Sequence, residues 1–402
     1  MLDWVDRNGK LLLAARPLQA FAASFVSISF AIYLKGLGFS LTQIGLVLTG
    51  GMASSTLLNL LAGFLESRVG RRRLLVSLGL LTTASGLVFA TTSSKALLVA
   101  FAVISSMGYS GGFGAAQMLE RVIMAQSCRD ERRTELYAIR TTLGSLATAT
   151  GSLFTGLLVV LRGLGLTELG AYRAMFGAYA ALNLALVALY LLLDEEAEVQ
   201  VEAGSSRPLS PQAKRYLVQL SLLFSMDALG GAFITRSLVA YWLFERFGLT
   251  MDRIGMVFSA SSLLAAASFM VAARISRRIG LINTMVFSHL PANIMMMGIP
   301  YMPNLWTSLG LYLGRSLLSQ MDVPTRQSYT MAIVKPEERA RFQSLLNLPR
   351  SFTLAIGPGI AGYLMQYMGL GTPFLVAGFI KAAYDVLLWY RFKDVKPPEE
   401  AA

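Results

Sequence analysis

The sequence predicts an all-α membrane protein with twelve transmembrane helices in two six-helix repeats and both termini in the cytoplasm. Three observations predict it: long apolar segments, basic residues concentrated in alternate loops, and a repeat at an offset of 210 residues. Hydrophobic residues make up 54% of the 402-residue chain and charged residues only 14%. A soluble protein of this length cannot bury so much apolar surface.

The repeat is clearest around the second apolar segment. Six identities share one offset without a gap: Gly38/Gly248, Ile44/Ile254, Gly45/Gly255, Val47/Val257, Arg68/Arg278 and Gly70/Gly280. They cluster around the two ends of one predicted helix, so chance matches between glycine-rich membrane helices are a poor explanation. Two halves of this kind in one membrane chain are typical of secondary transporters built from parallel repeats.

Twelve apolar segments, each near the ~20 residues that a bilayer requires, are predicted. They are segments 1 to 12, at 12–34, 42–66, 74–92, 96–124, 135–161, 170–193, 216–244, 252–272, 282–302, 305–333, 342–366 and 371–390. Ser40 and Gln43 form a capping-box pattern before segment 2. The predicted domains are two six-helix bundles at 1–193 and 214–392, a flexible cytoplasmic linker at 194–213 and a tail at 393–402.

Basic residues lie in every second loop. Seven clusters of three or four Lys or Arg alternate with loops that carry at most one. Cytoplasmic loops carry this excess, so both termini and the linker are predicted to be cytoplasmic and the protein to cross the cytoplasmic membrane many times. The same rule accounts for the net charge of +12, and no nucleic-acid partner is expected.

The residues of enzyme sites are scarce. The chain has one histidine and one cysteine, Cys128, and lacks nucleophile or metal-ligand spacing. We therefore expect no enzymatic activity, no cofactor, no metal and no disulfide within the chain.

The loop between segments 2 and 3 carries a recognisable motif. It reads Gly63-Phe-Leu65-Glu66-Ser-Arg68-Val-Gly70-Arg71-Arg72. With the twelve segments, the repeat and the linker, this loop resembles the major facilitator superfamily, whose signature is Gly-x-Leu-x-Asp-Arg-x-Gly-Arg-Arg/Lys. Ser67 occupies the acidic position, and Glu66 lies one residue early, which is about 100° around a helix. In the family, the acid holds segment 2 against segment 11; that role stays open for Glu66.

Segment 4 has a weaker match. Gly112, Gly114, Ala115 and Ala116 fit the Arg-x-x-Gln-Gly-x-Gly-Ala-Ala pattern of proton-coupled members, but Gly108 and Gly111 replace its arginine and glutamine. The resemblance implies a monomeric secondary active transporter that moves a small solute by alternating access, in contact with membrane lipids. Proton-coupled efflux is one expectation. The alternatives are an uptake permease for an organic anion or sugar and a non-transporting receptor or scaffold.

Segment 10 carries a polar stripe. At 100° per residue, six polar side chains fall on one face: Ser308, Tyr312, Arg315, Ser319, Asp322 and Arg326. Such a face is costly against lipid, so it is predicted to line the aqueous path. Pro324, between the i,i+4 pair Asp322 and Arg326, predicts a bend. A buried structural salt bridge is the alternative reading of that pair.

Other ionisable groups in the segments form the remaining candidates. Glu120, Arg140 and Arg350, with Asp322 and Arg326, are predicted to form a cytoplasmic gate or to hold each half together. The substrate or proton candidates are Asp227, Arg315, Ser319, Glu120, Tyr109 and Tyr312. Asp227 is interpreted as a lone acid in mid-membrane, a proton site or a hydrogen-bonded structural group.

The remaining ionisable residues are divided between the path and structural roles. Arg236 and Arg315 favour an anionic or zwitterionic substrate. Lys381 and Asp385 are predicted to form a structural i,i+4 pair on segment 12. His289 on segment 9 is interpreted as a packing residue.

The charge asymmetry predicts the orientation of the chain. Single cysteines introduced at Lys95 and Gly204 should differ in labelling by an impermeant thiol reagent on intact cells, because only the loop at Lys95 is predicted to face outward. Labelling at position 204 and not at 95 would reverse the predicted orientation.

Overall fold

The computed structural model describes residues 4–107, 114–129, 132–194 and 209–395, and in these ranges the regular structure is helical, without strands. The described α-helices are α1 Arg7–Gly36, α2 Leu41–Val69, α3 Arg71–Thr91, α4 Lys95–Ile104, α5 Gly114–Gln126, α6 Arg133–Leu153, α7 Leu157–Gly163, α8 Glu168–Leu191, α9 Pro211–Phe233, α10 Arg236–Phe247, α11 Met251–Ile279, α12 Leu281–Gly298, α13 Leu305–Leu318, α14 Asp322–Ala332, α15 Arg339–Tyr367 and α16 Thr372–Phe392. Short 3₁₀ turns occupy Phe154–Gly156, Ile299–Tyr301 and Pro336–Glu338.

Helices overlap every predicted segment. Segments 4, 5, 7 and 10 each overlap two described helices, namely α4 with α5, α6 with α7, α9 with α10, and α13 with α14. Within the described ranges, eight helical stretches are long and apolar enough to cross a membrane. The fold is that of an all-α membrane protein, and the count of twelve crossings stays a prediction.

The backbone repeats at the glycines that the sequence repeats. Gly38 and Gly248 have φ of +78° and +61°, and Gly70 and Gly280 have φ of +92° and +85°. Residues with a Cβ atom rarely adopt positive φ, so all four positions favour glycine. The predicted capping box is confirmed: Ser40 Oγ accepts from the Gln43 backbone N–H (3.2 Å), and Gln43 Oε1 accepts from that of Ser40 (2.9 Å).

The chain divides into two compact units, and unit 1 comprises Met1–Val201 and Arg236–Ser259. Helix α1 is its central element and packs against α6, α8 and α10. The α1 ring of Tyr33 lies 4.9 Å from that of Phe176 on α8, and Phe89 on α3 lies 5.0 Å from the same ring. Aromatic rings from three helices therefore form part of the core of unit 1.

Helix α10 and the start of α11 join unit 1 through polar contacts. Ser237 Oγ donates to the Ser27 carbonyl oxygen, and these two serines are separated by the same offset of 210 residues as the repeat. Arg236 donates to Ser152 Oγ (2.8 Å), and Thr155 Oγ1 donates to the Met251 carbonyl (2.9 Å). By packing, 236–259 belong to unit 1, although by sequence they lie in the second repeat.

Unit 2 comprises Glu202–Thr235 and Ala260–Ala402. Helix α9 packs against α15 and α16, and α12 packs against α13, α14 and α16. Its largest buried side chains include Tyr329, Phe342, Tyr384 and Phe392, each at most 1% exposed. The charged residues described below are buried in the same unit.

Close packing of α1 against α6 generates a stability prediction. A Cβ atom at Gly151 would lie 2.8 Å from Phe21 Cα, whereas one at Gly177 on α8 would meet nothing within 4 Å. Gly151→Ala should therefore lower the melting temperature of the detergent-purified protein, with an overpacking cost of roughly 1–3 kcal/mol. Gly177→Ala is the matched control and should melt at the wild-type temperature or above it. Equal melting of both variants would contradict the close approach.

Candidate functional site

A cavity of about 340 Å³ lies within unit 2. Helices α9, α11, α12, α13, α14, α15 and α16 contribute to its wall. Most of its lining is polar: Asp227, Ser261, His289, Tyr312, Arg315, Ser316, Ser319, Gln320, Asp322, Arg326, Arg350 and Lys381. A charged cavity inside an apolar bundle is the strongest candidate site in the described part of the chain.

The polar stripe of segment 10 forms one wall of this cavity. Five of its six predicted members line it, and Ser308 instead donates to the Ile299 carbonyl oxygen (3.2 Å). The helix is interrupted near the predicted bend, since α13 ends at Leu318 and α14 begins at Asp322. Pro324 falls in the first turn of α14, where the helix does not need a backbone N–H.

Asp227 is the centre of the charge network, and the prediction of a lone acid is wrong. Lys381 Nζ donates to Asp227 Oδ1, and Arg326 donates to Asp227 Oδ2 at 3.0 Å. Arg326 also lies 3.5 Å from Asp322 Oδ2, which confirms the i,i+4 contact predicted on segment 10. One carboxylate on α9 thus binds cations from α14 and α16.

The predicted pairing of Lys381 with Asp385 is replaced by contacts to other helices. Lys381 binds Asp227, whereas Asp385 accepts from Asn293 Nδ2 (2.8 Å) and contacts His289 Nδ1 (2.8 Å). The spacing i,i+4 places both groups on one face of α16. In this packing that face meets α9 and α12, where closer partners are available.

The cationic groups outnumber the anionic ones in the lining of the cavity. Arg315, Arg326, Arg350 and Lys381 face Asp227 and Asp322. The Nε–H of Arg315 is buried and has no hydrogen-bond partner in the described residues. A buried donor without a partner is costly, so a ligand oxygen that reached Arg315 would relieve that cost.

A second buried cluster lies in unit 1 around Glu120, which is 0% exposed. Arg140 donates to Glu120 Oε2 (3.0 Å), Tyr190 donates through its hydroxyl to Oε1 (2.7 Å), and Gln19 donates to the same oxygen. The Glu120–Arg140 contact agrees with their predicted grouping. Gln19 on α1 and Tyr190 on α8 were missed, because neutral polar residues give no charge signal in an apolar segment.

The signature loop forms its own ion pair. Arg71 is 5% exposed and donates through Nε to Glu66 Oε2 (3.1 Å) and through a terminal nitrogen to Gln126 Oε1 (3.4 Å). Arg72 donates to the Leu191 carbonyl oxygen. Glu66 therefore stabilises the start of α3 and, through Arg71, its contact with α5. Gly63, Leu65 and Arg68 lie on exposed positions of α2.

Two predicted residues stand apart from the cavity. Tyr109 lies outside the described residues. Arg236, expected as a cationic group of the path, lies outside the cavity lining; it donates to Ser152 in unit 1 and stacks over the Phe258 ring at 4.9 Å.

His289 and Lys381 were interpreted as peripheral and yet line the cavity. Lys381 was the signal in the sequence that could have located the cavity, because a cation in a membrane segment requires a counter-charge.

Sequence comparison places the chain in a family. The family model of the Major Facilitator Superfamily matches residues 12–320. The chain belongs to the Major Facilitator Superfamily. The uncharacterized membrane protein YJR124C of Saccharomyces cerevisiae is 24% identical over 425 residues, which covers 97% of this chain and 95% of the yeast protein.

Two solved structures share the fold at low sequence identity. The nucleoside transporter NupG aligns with a TM-score of 0.71 at 16% identity, over 96% of this chain and 98% of its own. The D-xylose-proton symporter aligns with a TM-score of 0.69 at 15% identity, over 98% of both chains. With the family match and the apolar helices, the protein is a membrane transporter of the superfamily.

The Asp227 network generates a double-mutant prediction. Asp227→Asn leaves Lys381 and Arg326 without their shared anion, and Lys381→Met removes one of its two closest cations. Each change should lower the melting temperature in detergent, because loss of one partner of a buried pair costs about 3–5 kcal/mol. The double variant should lose less stability than the two losses added together.

The exposed Asp394 supplies the control, since Asp394→Asn should leave the melting temperature unchanged. Additive losses in the double variant would show that Asp227 and Lys381 do not act as a pair.

Proposed function

We propose that the protein is a secondary active transporter that moves a small organic anion across the cytoplasmic membrane by alternating access. The cavity of unit 2 is the proposed binding site. The observation that carries the proposal is the charge of its wall, where four cationic side chains face two carboxylates. In this proposal the protein works as a monomer among membrane lipids, with both termini in the cytoplasm.

The chemistry of the wall supports an anion rather than a neutral solute. The buried Nε–H of Arg315 requires an acceptor, and a carboxylate or phosphate oxygen supplies one with charge. A neutral sugar or nucleoside, the cargo in the names of the two structural relatives, would be bound by Tyr312, Ser319 and Gln320. Such a solute would offer no negative charge to the buried Nε–H of Arg315.

The size of the cavity limits the solute. Ligand pockets in proteins usually span about 300–1,000 Å³, and this cavity of about 340 Å³ lies at the lower end of that range. The solute class is therefore a small mono- or dicarboxylate, or a small phosphate ester, rather than a drug-sized molecule. This size favours uptake or exchange of a metabolite over multidrug efflux.

Ion pairs supply the proposed cytoplasmic gate. Arg140 binds Glu120 in unit 1, and Arg326 binds Asp322 in unit 2. Arg140 and Arg350 are 210 residues apart and therefore occupy equivalent positions of the repeat. By this equivalence with Arg140, Arg350 is proposed to act at the gate as well as in the cavity.

Substitution of Arg315 tests the anion site. The purified protein is reconstituted into liposomes that are loaded with succinate, phosphoglycerate, xylose or uridine. Exchange of the internal solute with the same labelled solute outside is then measured. We expect exchange of at least one anion. Arg315→Ala should raise its KM roughly ten-fold or more, because a charge-assisted hydrogen bond contributes about 1.5–3 kcal/mol.

Arg253→Ala, at an exposed position of α11, is the matched control and should leave the KM unchanged. Exchange of the neutral solutes alone, or a wild-type KM for the anion in Arg315→Ala, would contradict the proposal.

A further inference from the structure

A second pocket of unit 2, of about 590 Å³, lies where α11 ends and α12 begins. Its described lining combines three cations, Arg277, Arg278 and Lys393, with neutral residues and includes no carboxylate. We propose that this pocket binds the phosphate-bearing headgroup of an anionic phospholipid. The proposal is independent of the transported solute, because none of these three cations lines the cavity described above.

The turn between α11 and α12 repeats the signature loop without its acid. In unit 1, Glu66 accepts from Arg71 and so compensates one cation of the loop. At the offset of 210 residues, Ser276 occupies the position of Glu66. Residues 274–284 contain three arginines and no acid, so a counter-charge for these arginines comes from outside the turn.

Side-chain contacts fix the other wall of the pocket, at the end of α16. Trp389 Nε1 donates to Asn283 Oδ1 (3.2 Å), which connects α16 to the first turn of α12. Lys393 Nζ lies 4.7 Å from the centre of the Trp389 ring, so the ring holds the lysine at the pocket. Tyr329 on α14 donates to the Val395 carbonyl oxygen (3.0 Å). Three helices are thereby linked around the pocket.

The donors of the pocket suit a phosphate group. Arg277 and Arg278 carry planar guanidinium groups, which bind phosphate oxygens through charge-assisted hydrogen bonds. Gly280 caps α12 without a side chain that accepts from the first turn, so the positive end of the helix dipole lies at the same turn. Three cations in the lining favour a net negative headgroup over a zwitterionic one, because the cation of a zwitterion would be repelled.

An apolar stripe on α12 indicates a lipid rather than a free phosphate. At 100° per residue, Phe287 and Ile294 lie within about 40° of Asn283, which lines the pocket. Both apolar side chains are 57% exposed. The stripe extends about 16 Å along the helix from Asn283. In predicted segment 9 these side chains would contact acyl chains, so a lipid with its headgroup in the pocket would lay a chain along α12.

The predicted orientation assigns the lipid to one leaflet. The arginines of this turn form one of the seven basic clusters, which are predicted to be cytoplasmic. The cytoplasmic leaflet carries anionic lipids, and basic pockets between membrane helices on that side bind anionic headgroups. The ligand is therefore an anionic phospholipid of the cytoplasmic leaflet.

Lipid titration of the delipidated full-length protein in detergent tests the proposal. The melting temperature is measured as phosphatidylglycerol, phosphatidylcholine or glycerol 3-phosphate is added. A ligand that binds the folded state raises the melting temperature by mass action. We expect a rise with phosphatidylglycerol, a much smaller one with phosphatidylcholine, and none with glycerol 3-phosphate at the same concentration.

Variants without these charges locate the site. Arg277→Gln combined with Lys393→Gln should raise the apparent Kd for phosphatidylglycerol roughly ten-fold or more. Both residues are exposed, so the double variant should keep the wild-type melting temperature without lipid. Arg274→Gln is the matched control, because it removes an exposed arginine of the same helix end outside the described lining, and it should keep the wild-type Kd.

A wild-type Kd in the double variant, an equal loss in Arg274→Gln, or equal shifts with the two phospholipids would overturn the proposal. A shift of the same size with glycerol 3-phosphate would identify a site for free phosphate and overturn the assignment to a lipid. If the double variant melts lower without lipid, native mass spectrometry decides by counting the phosphatidylglycerol molecules that remain bound. One molecule fewer than in the wild type supports the proposal, and an equal number overturns it.

Discussion

Buried charge in an apolar bundle requires a partner, and the arrangement of unit 2 depends on this constraint. Asp227 is buried in the interior of unit 2, where an isolated ion would be costly. Its partners come from α14 and α16, and Asp385 adds a link from α16 to α12. Four helices are thereby fixed around one carboxylate network. The polar cavity of unit 2 is lined by members of this network.

The two repeats share an arginine at equivalent positions, but their buried acids lie at different positions. Arg140 and Arg350 occupy equivalent positions, but Glu120 corresponds to Thr330, and Asp227 corresponds to Pro17. In unit 1 the acid on α5, Glu120, is fully buried and accepts hydrogen bonds from Arg140, Gln19 and Tyr190. In unit 2 the acid is on the first helix of the repeat and borders a cavity. This asymmetry explains why the candidate site lies in unit 2 although the fold is repeated.

The sequence predicts local features well because their causes are local. Gly70 and Gly280 adopt positive φ, Ser40 caps α2, and five members of the segment 10 stripe share one wall, as turn chemistry, capping and helical periodicity require. Partners on different helices were not predictable in this way. Helical periodicity places Lys381 and Asp385 on one face of α16, but it does not identify the helices that pack against that face. His289 was misinterpreted for the same reason, since its two carboxylates come from α9 and α16.

In the proposed function, the same network would let an anion enter without leaving a buried charge unpaired. A solute carboxylate carries the group that Asp227 carries, so it could take the place of Asp227 as the partner of Arg326 while Arg315 supplied the second donor. Asp227 would keep Lys381 as its partner. Removal of a single partner would be costly, whereas this exchange would keep each charge compensated.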